Sequence, residues 1–113
     1  MEIINTSIQG IPVLAVTGRI DAVTAKELDS AICGIIKEKA ATMVLDLKGV
    51  DYISSSGLRV LMAAQKSLRP LRCEICLTCL QPMVREVMEA TGIAGLFTIH
   101  PDRKEAITAL LHT

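Results

Sequence analysis

Aromatic side chains are nearly missing from this sequence: one Tyr, one Phe and no Trp in 113 residues. Single-stranded nucleic acids are gripped by stacking bases on aromatic faces, and here there are too few to build such a platform. No excess of positive charge exists either. Twelve Lys and Arg balance twelve Asp and Glu, so little counterion release would drive binding to a phosphate backbone. Both absences argue against DNA or RNA as a partner. Long apolar runs are also lacking. Ile3 to Gly18 is uncharged, but Asn5, Thr6, Ser7, Gln9, Gly10 and Pro12 interrupt it, and a bilayer span needs about 20 mostly apolar residues. The opening Met1-Glu-Ile-Ile-Asn5 has neither the basic nor the apolar region of a signal peptide. The expectation is a cytoplasmic protein without membrane insertion, whose thiols stay reduced. In that compartment the sequon Asn5-Thr6-Ser7 is a chance match.

What is present reads as one ordered globular unit. Half the residues are hydrophobic and 21% are charged, the balance of a folded domain and not of a disordered tail. A length of 113 residues predicts a single domain over 1–113, large enough to bury roughly 65% of its unfolded surface without staples.

Strand and helix patterns alternate along the chain. Ile3 to Ile8 and Ile11 to Thr17 are β-branched and apolar on either side of Gln9-Gly10, a hairpin pattern. Thr24 followed by Glu27 forms a capping-box pattern, and Leu28, Ile32, Ile35 and Ile36 mark the apolar face of a helix to about Lys39. Thr42 to Leu47 reads as a buried strand, and Lys48 to Ser55 as a loop. A second helix follows, with Leu58, Leu61, Met62, Gln65 and Leu68 on one face and Pro70 at its end. Arg72 to Leu80 is a third apolar strand. Pro82 suits the first position of a helix, faced by Val84, Val87 and Met88 and capped by Gly92. Leu96 to Ile99 is a short strand, and Asp102 opens a last helix that turns Ala106, Ile107, Leu110 and Leu111 inward. The predicted order is β-β-α-β-α-β-α-β-α, an α/β mixed sheet with about four helices, parallel from the third strand onward. Leu28, Ile32, Val44, Leu45, Leu61, Ile75 and Leu77 are its expected core.

Chemistry concentrates at Asp51-Tyr-Ile-Ser-Ser-Ser-Gly-Leu58, where three hydroxyls meet a helix start. One serine suffices as an N-cap, which leaves two without a capping role. A helix N-terminus also accommodates added negative charge, because its free N–H groups and dipole are positive. A phosphoserine there brings about −1.5 to −2 charges and would eject a partner bound over it, so the stretch suits a switch as well as a cap.

The segment Val44-Leu-Asp-Leu-Lys-Gly-Val-Asp-Tyr-Ile-Ser-Ser-Ser-Gly-Leu-Arg59 resembles the signature of STAS domains, specifically bacterial anti-sigma factor antagonists. Gly18-Arg-Ile-Asp-Ala-Val-Thr-Ala-Lys-Glu-Leu28 is similar to the family's segment before its first helix, and Pro82 to Phe97 to its third helix and next strand. The resemblance implies a STAS fold and a mechanism. The unphosphorylated antagonist binds an anti-sigma factor that is also a serine kinase, which frees the sigma factor. The kinase, holding ATP and Mg²⁺, phosphorylates the residue before the glycine, here Ser56 with Ser55 as the alternative, and a serine phosphatase reverses the change. The chain itself is then no enzyme and needs no cofactor. Asp21, Asp51, Ser54, Ser55, Ser56, Gly57 and Arg59 are the implied partner-binding residues, with Gly57 leaving the hydroxyl open to close approach. Family members often carry an acidic residue two places before the phosphorylated one. Here that place is Ser54, and the carboxylate upstream is Asp51. Similar domains without a kinase serve as protein-binding scaffolds or as regulatory subunits of transport systems, the alternative function.

Other motifs have blander readings. Cys73, Cys76 and Cys79 have the spacing of a metal site, but on a strand they alternate faces and cannot converge. The elbow G-x-S-x-G of serine hydrolases is absent. His100 is expected in a loop and His112 at a frayed end, neither placed to activate Ser56. Asp46, in a buried strand, is expected near a sheet edge or accepting loop N–H groups, since an unpaired buried charge is costly.

Overall fold

The two β-branched segments at the start pair as a hairpin. In the computed structural model, which describes residues 1–112, β1 (Glu2–Ile8) lies antiparallel to β2 (Ile11–Ile20). Gln9 and Gly10 turn the chain at φ of +50° and +82°, the two left-handed positions of a tight hairpin turn whose twist suits the strands. The order continues α1 (Thr24–Glu38), β3 (Met43–Ile53), α2 (Ser55–Leu68), β4 (Ile75–Thr78), α3 (Pro82–Ala90), β5 (Thr98–His100) and α4 (Arg103–Leu111). Short 3₁₀ turns at Arg69–Leu71 and Ile93–Leu96 follow α2 and α3. This is the predicted order. The five strands form one sheet in chain order, with β2, β3, β4 and β5 mutually parallel.

Crossovers that step one way across a sheet with one hand put their helices on one face. α1, α2 and α3 accordingly share the main core, where Leu28, Ile32, Leu61 and Met88 meet Leu14, Leu45, Ile75 and Leu77. α4 covers the other face, packing Ala106 and Ile107 on Val13, Val44 and Cys76. Strand alternation therefore divides the expected core: Val44 belongs to the α4 side while its neighbour Leu45 faces α1 and α2.

The structure departs from the sequence pattern in several places. β3 runs on to Ile53, through what reads as a loop from Lys48. The register against β2 shifts twice, between Ala15 and Thr17 and between Thr17 and Arg19, and such bulges break the alternation a strand is recognised by. Gly49 sits at this irregularity, where a Cβ would come within 2.7 Å of Thr17 Oγ1. β4 is shorter than its apolar run, only Ile75–Thr78. Cys73 and Cys79 thus lie outside the strand, and the alternation expected of all three cysteines applies to Cys76 alone. His100 is the last residue of β5, not a loop residue. Finally, Met62 and Leu111 are exposed and not turned inward.

Candidate partner-binding site

β2 and β3 end together. Ile20 pairs with Ile53, and the Ser54 N–H donates to the Ile20 carbonyl at 2.8 Å, so the contact with β2 persists one residue beyond the end of β3. The two segments that follow leave the sheet side by side, and each leads into a helix.

The start of α1 is capped by Asp21. Its Oδ1 accepts from the backbone N–H of Val23 and of Thr24, both at 3.0 Å. Thr24 Oγ1 returns the bond by accepting from the Asp21 N–H at 2.8 Å and donates to the Arg19 carbonyl at 2.7 Å. This is the reciprocal logic of a capping box, formed by Asp21 and Thr24, one turn upstream of the predicted Thr24 and Glu27. Hydrogen bonding, led by the Thr24 N–H, holds the Asp21 carboxyl below its ordinary range, against a smaller opposing effect of burial. Val23, between the two capping residues, is 73% exposed.

The start of α2 is capped by Ser54, whose Oγ accepts from the Gly57 N–H at 3.2 Å. Of the three serines this is the one that does the capping. Ser55 is exposed and Ser56 half-buried, and among the described residues neither hydroxyl is tied to another group. Gly57 is buried, and a Cβ there would lie 2.5 Å from Ile20 Cγ2 and 2.8 Å from Ile53 Cγ1. Its missing side chain therefore faces the strand ends and lets α2 start tight against them. The family resemblance implies a vacancy open to an approaching kinase, and the geometry turns it inward.

Around these serines stand the remaining predicted residues. Arg59 is exposed one turn along α2, and Asp51 is exposed on β3, a strand residue and not a loop residue. The guanidinium of Arg19 lies 4.1 Å from the centre of the Tyr52 ring, a cation–π contact between the paired residues just before the strand ends. Val23, Arg19 and Tyr52 are not singled out by the sequence motifs. Val23 does carry a signal: it falls off the stripe of Leu28, Ile32 and Ile35, so an apolar residue there has no place in the core.

Other candidates stay apart from this surface. Asp46 lies in mid-strand on central β3, not near a sheet edge. It is 5% exposed, accepts from the Lys48 N–H at 2.9 Å and pairs with Arg103 Nε at 2.6 Å. His100 lies on β5, separated from β3 by β4, and His112 follows α4. Burial, with Glu74 alongside, pushes the Cys76 thiol up to about 12, which leaves it protonated and unreactive at neutral pH. Among the described residues no group of three or more His, Cys, Asp or Glu is placed to hold a metal ion, and no helix is long and apolar enough to cross a membrane.

The model of the STAS domain matches residues 2–106. The chain belongs to the STAS domain family. This STAS domain is 33% identical over 109 residues to BtrV of Bordetella bronchiseptica, which bears the name of a putative anti-sigma factor antagonist, covering 96% of this chain and 94% of BtrV. It is 33% identical over 84 residues to the anti-sigma-B factor antagonist of Listeria monocytogenes, covering 74% of each. Among solved structures, an anti-sigma factor antagonist from Mycobacterium paratuberculosis superposes with a TM-score of 0.87 at 29% identity, covering 96% of this chain and 92% of that one. The STAS fold thus accounts for the parallel sheet and for the paired helix starts at the ends of β2 and β3.

Proposed function

We propose that this STAS domain is an anti-sigma factor antagonist whose hold on its partner is switched off by phosphorylation of Ser56. Free of phosphate, the surface formed by Asp21, Val23, Ser54, Ser55, Ser56 and Arg59, with Asp51 beside it, binds an anti-sigma factor that is also a serine kinase. The sigma factor is thereby released. The kinase brings its own ATP and Mg²⁺, a serine phosphatase restores the hydroxyl, and the exchange takes place in the cytoplasm. The chain acts by binding and carries no catalytic residue.

One observation carries this reading. The cap of α2 is filled by Ser54, so the Ser56 hydroxyl is left without a hydrogen-bonding duty at a helix start. A phosphate added there does not uncap the helix, and its charge is favourable to the helix N-terminus. The same charge is unfavourable inside an interface, where a dianion must be desolvated and faces groups arranged for a neutral serine. Folding is therefore preserved while binding is lost. Val23, 73% exposed, supplies an apolar anchor of the kind such a surface uses, and the names borne by BtrV and the Listeria relative support the choice of partner.

Isothermal titration of the cognate kinase with the free and the phosphorylated protein tests the reading. A loss of about a hundredfold in affinity, roughly 2.7 kcal/mol, is expected on phosphorylation. Ser56→Ala should still bind, and Ser56→Asp should bind more weakly than serine but better than phosphoserine, since it carries about one charge. Equal affinity of the free and phosphorylated forms would remove the switch and leave a binding scaffold.

A further inference from the structure

The outer side of α2 carries a second surface, which shares only Arg59 with the surface proposed for the switch. Between positions 52 and 73 the chain has no Asp or Glu and four of its twelve cations, Arg59, Lys66, Arg69 and Arg72. In a chain with no net charge this is a concentrated positive strip. Beside it, α2 and the Ile93–Leu96 turn enclose an open cleft of about 470 Å³, lined by Met62, Ala63 and Leu96 together with Arg59, Lys66 and Arg69. Met62 is 37% and Leu96 36% exposed, so two large apolar side chains meet solvent with three cations lining the same cleft.

The cleft is held in shape. Gln65, only 4% exposed, donates from Nε2 to the Leu96 carbonyl at 2.8 Å and accepts from the Ile75 N–H at 2.7 Å. Arg69 Nη2 donates to the same Leu96 carbonyl at 3.0 Å. One buried amide thus fixes α2 to both β4 and the turn that forms the opposite wall, and a groove whose walls are tied costs little to order on binding.

We propose that this groove docks an acidic amphipathic helix of a protein partner. Leu or Met side chains at i, i+3, i+4 and i+7 would fill the cleft over Met62, Ala63 and Leu96, and carboxylates flanking them would meet Arg59, Lys66 and Arg69. An open cleft does not enclose a small molecule to the extent such ligands require. A membrane surface calls for a broad apolar face, and here only two large apolar side chains, Met62 and Leu96, stand among three cations. The docking site needs neither Ser56 nor the kinase, and its test uses Met62 and Lys66, which the proposed switch surface does not include, so it stands or falls apart from the switch.

Fluorescence anisotropy with a labelled helical peptide of about four turns, Leu along one face and Glu on both flanks, tests this on the full chain. Saturable binding is expected. It should weaken at least about tenfold for Met62→Glu, for Lys66→Glu, and for the peptide with Lys in place of Glu, and it should fall as salt rises. Both substitutions are at exposed positions, and an unchanged melting curve checks each fold. Amide shifts in NMR should map to α2 and residues 93–96. Absence of saturable binding, equal affinity for the Lys peptide, or indifference to both substitutions would overturn the proposal. So would co-sedimentation with phosphatidylglycerol vesicles that outcompetes the peptide, which would make the groove a lipid site.

Discussion

α1 and α2 begin side by side from the ends of paired strands, yet their first turns are built differently. At the start of α1 the two capping side chains are both committed: Asp21 and Thr24 bond each other's backbone, and Thr24 also reaches the Arg19 carbonyl. At the start of α2 a single serine, Ser54, does the capping, and two further hydroxyls stand next to it with no partner among the described residues. On the function proposed above, the difference separates stability from function within one surface. A chemical change at the start of α1 must disturb a helix, whereas a change at Ser56 alters the surface and leaves the helix in place.

Substitutions can break this contrast or sharpen it. The largest effect on folding is expected from Gly57→Val, because the added side chain must displace Ile20 and Ile53. Overpacking of this kind costs about 3 kcal/mol, visible as a lower midpoint in urea. If Gly57→Val were as stable as the parent, α2 would not be seated against the strand ends as described.

Next in size is Asp21→Ala, which removes the acceptor of two backbone N–H groups and should lower the melting temperature more than loss of a one-bond cap. Asp21 also adds a pH signature. Its folded-state carboxyl lies below the ordinary value of 3.8, so its contribution is complete above that value and is lost as pH falls through the folded one. Asp21→Asn keeps an acceptor without the charge. Acid titrations of stability should therefore show a shallower decline below about pH 4 for Asn than for the parent.

Ser54→Ala comes third, at about 1 kcal/mol for a lost N-cap. Smallest are Ser55→Ala and Ser56→Ala, each within about 0.5 kcal/mol as surface changes without a bond to lose. A Ser56→Ala variant as destabilised as Ser54→Ala would mean that Ser56 shares the capping, and the contrast between spare and structural hydroxyls would disappear.

Much of this architecture is legible in the sequence, and the exceptions have physical causes. Helices whose apolar residues recur at helical spacing, such as Leu28, Ile32 and Ile35, are unmistakable, and the order of elements follows from them. The pattern of β3 breaks off early because its register shifts against β2 around Thr17 and Gly49 interrupt alternation, and only the neighbouring strand reveals that the chain continues extended. The cap of α1 is ambiguous in sequence because Thr24 and Glu27 satisfy the local pattern as well as Asp21 and Thr24 do, and the choice depends on where the backbone leaves the sheet. Met62 reads as core because it lies one residue after Leu61 on a helix whose apolar stripe is broad, and the groove beside Leu96 exists only in three dimensions. The serine cluster is visible in the sequence. Which serine is the cap is not, since all three have the same chemistry and differ only in position along the first turn.

The most direct test of the switch is site-localised mass spectrometry after incubation with the cognate kinase and ATP, on the parent and on Ser54→Ala, Ser55→Ala and Ser56→Ala. A single phosphate on Ser56 is expected in every form except Ser56→Ala, which should stay unmodified. Phosphate on Ser54 or Ser55 of the parent, or a Ser56→Ala protein that is modified as readily as the others, would contradict the assignment of Ser56.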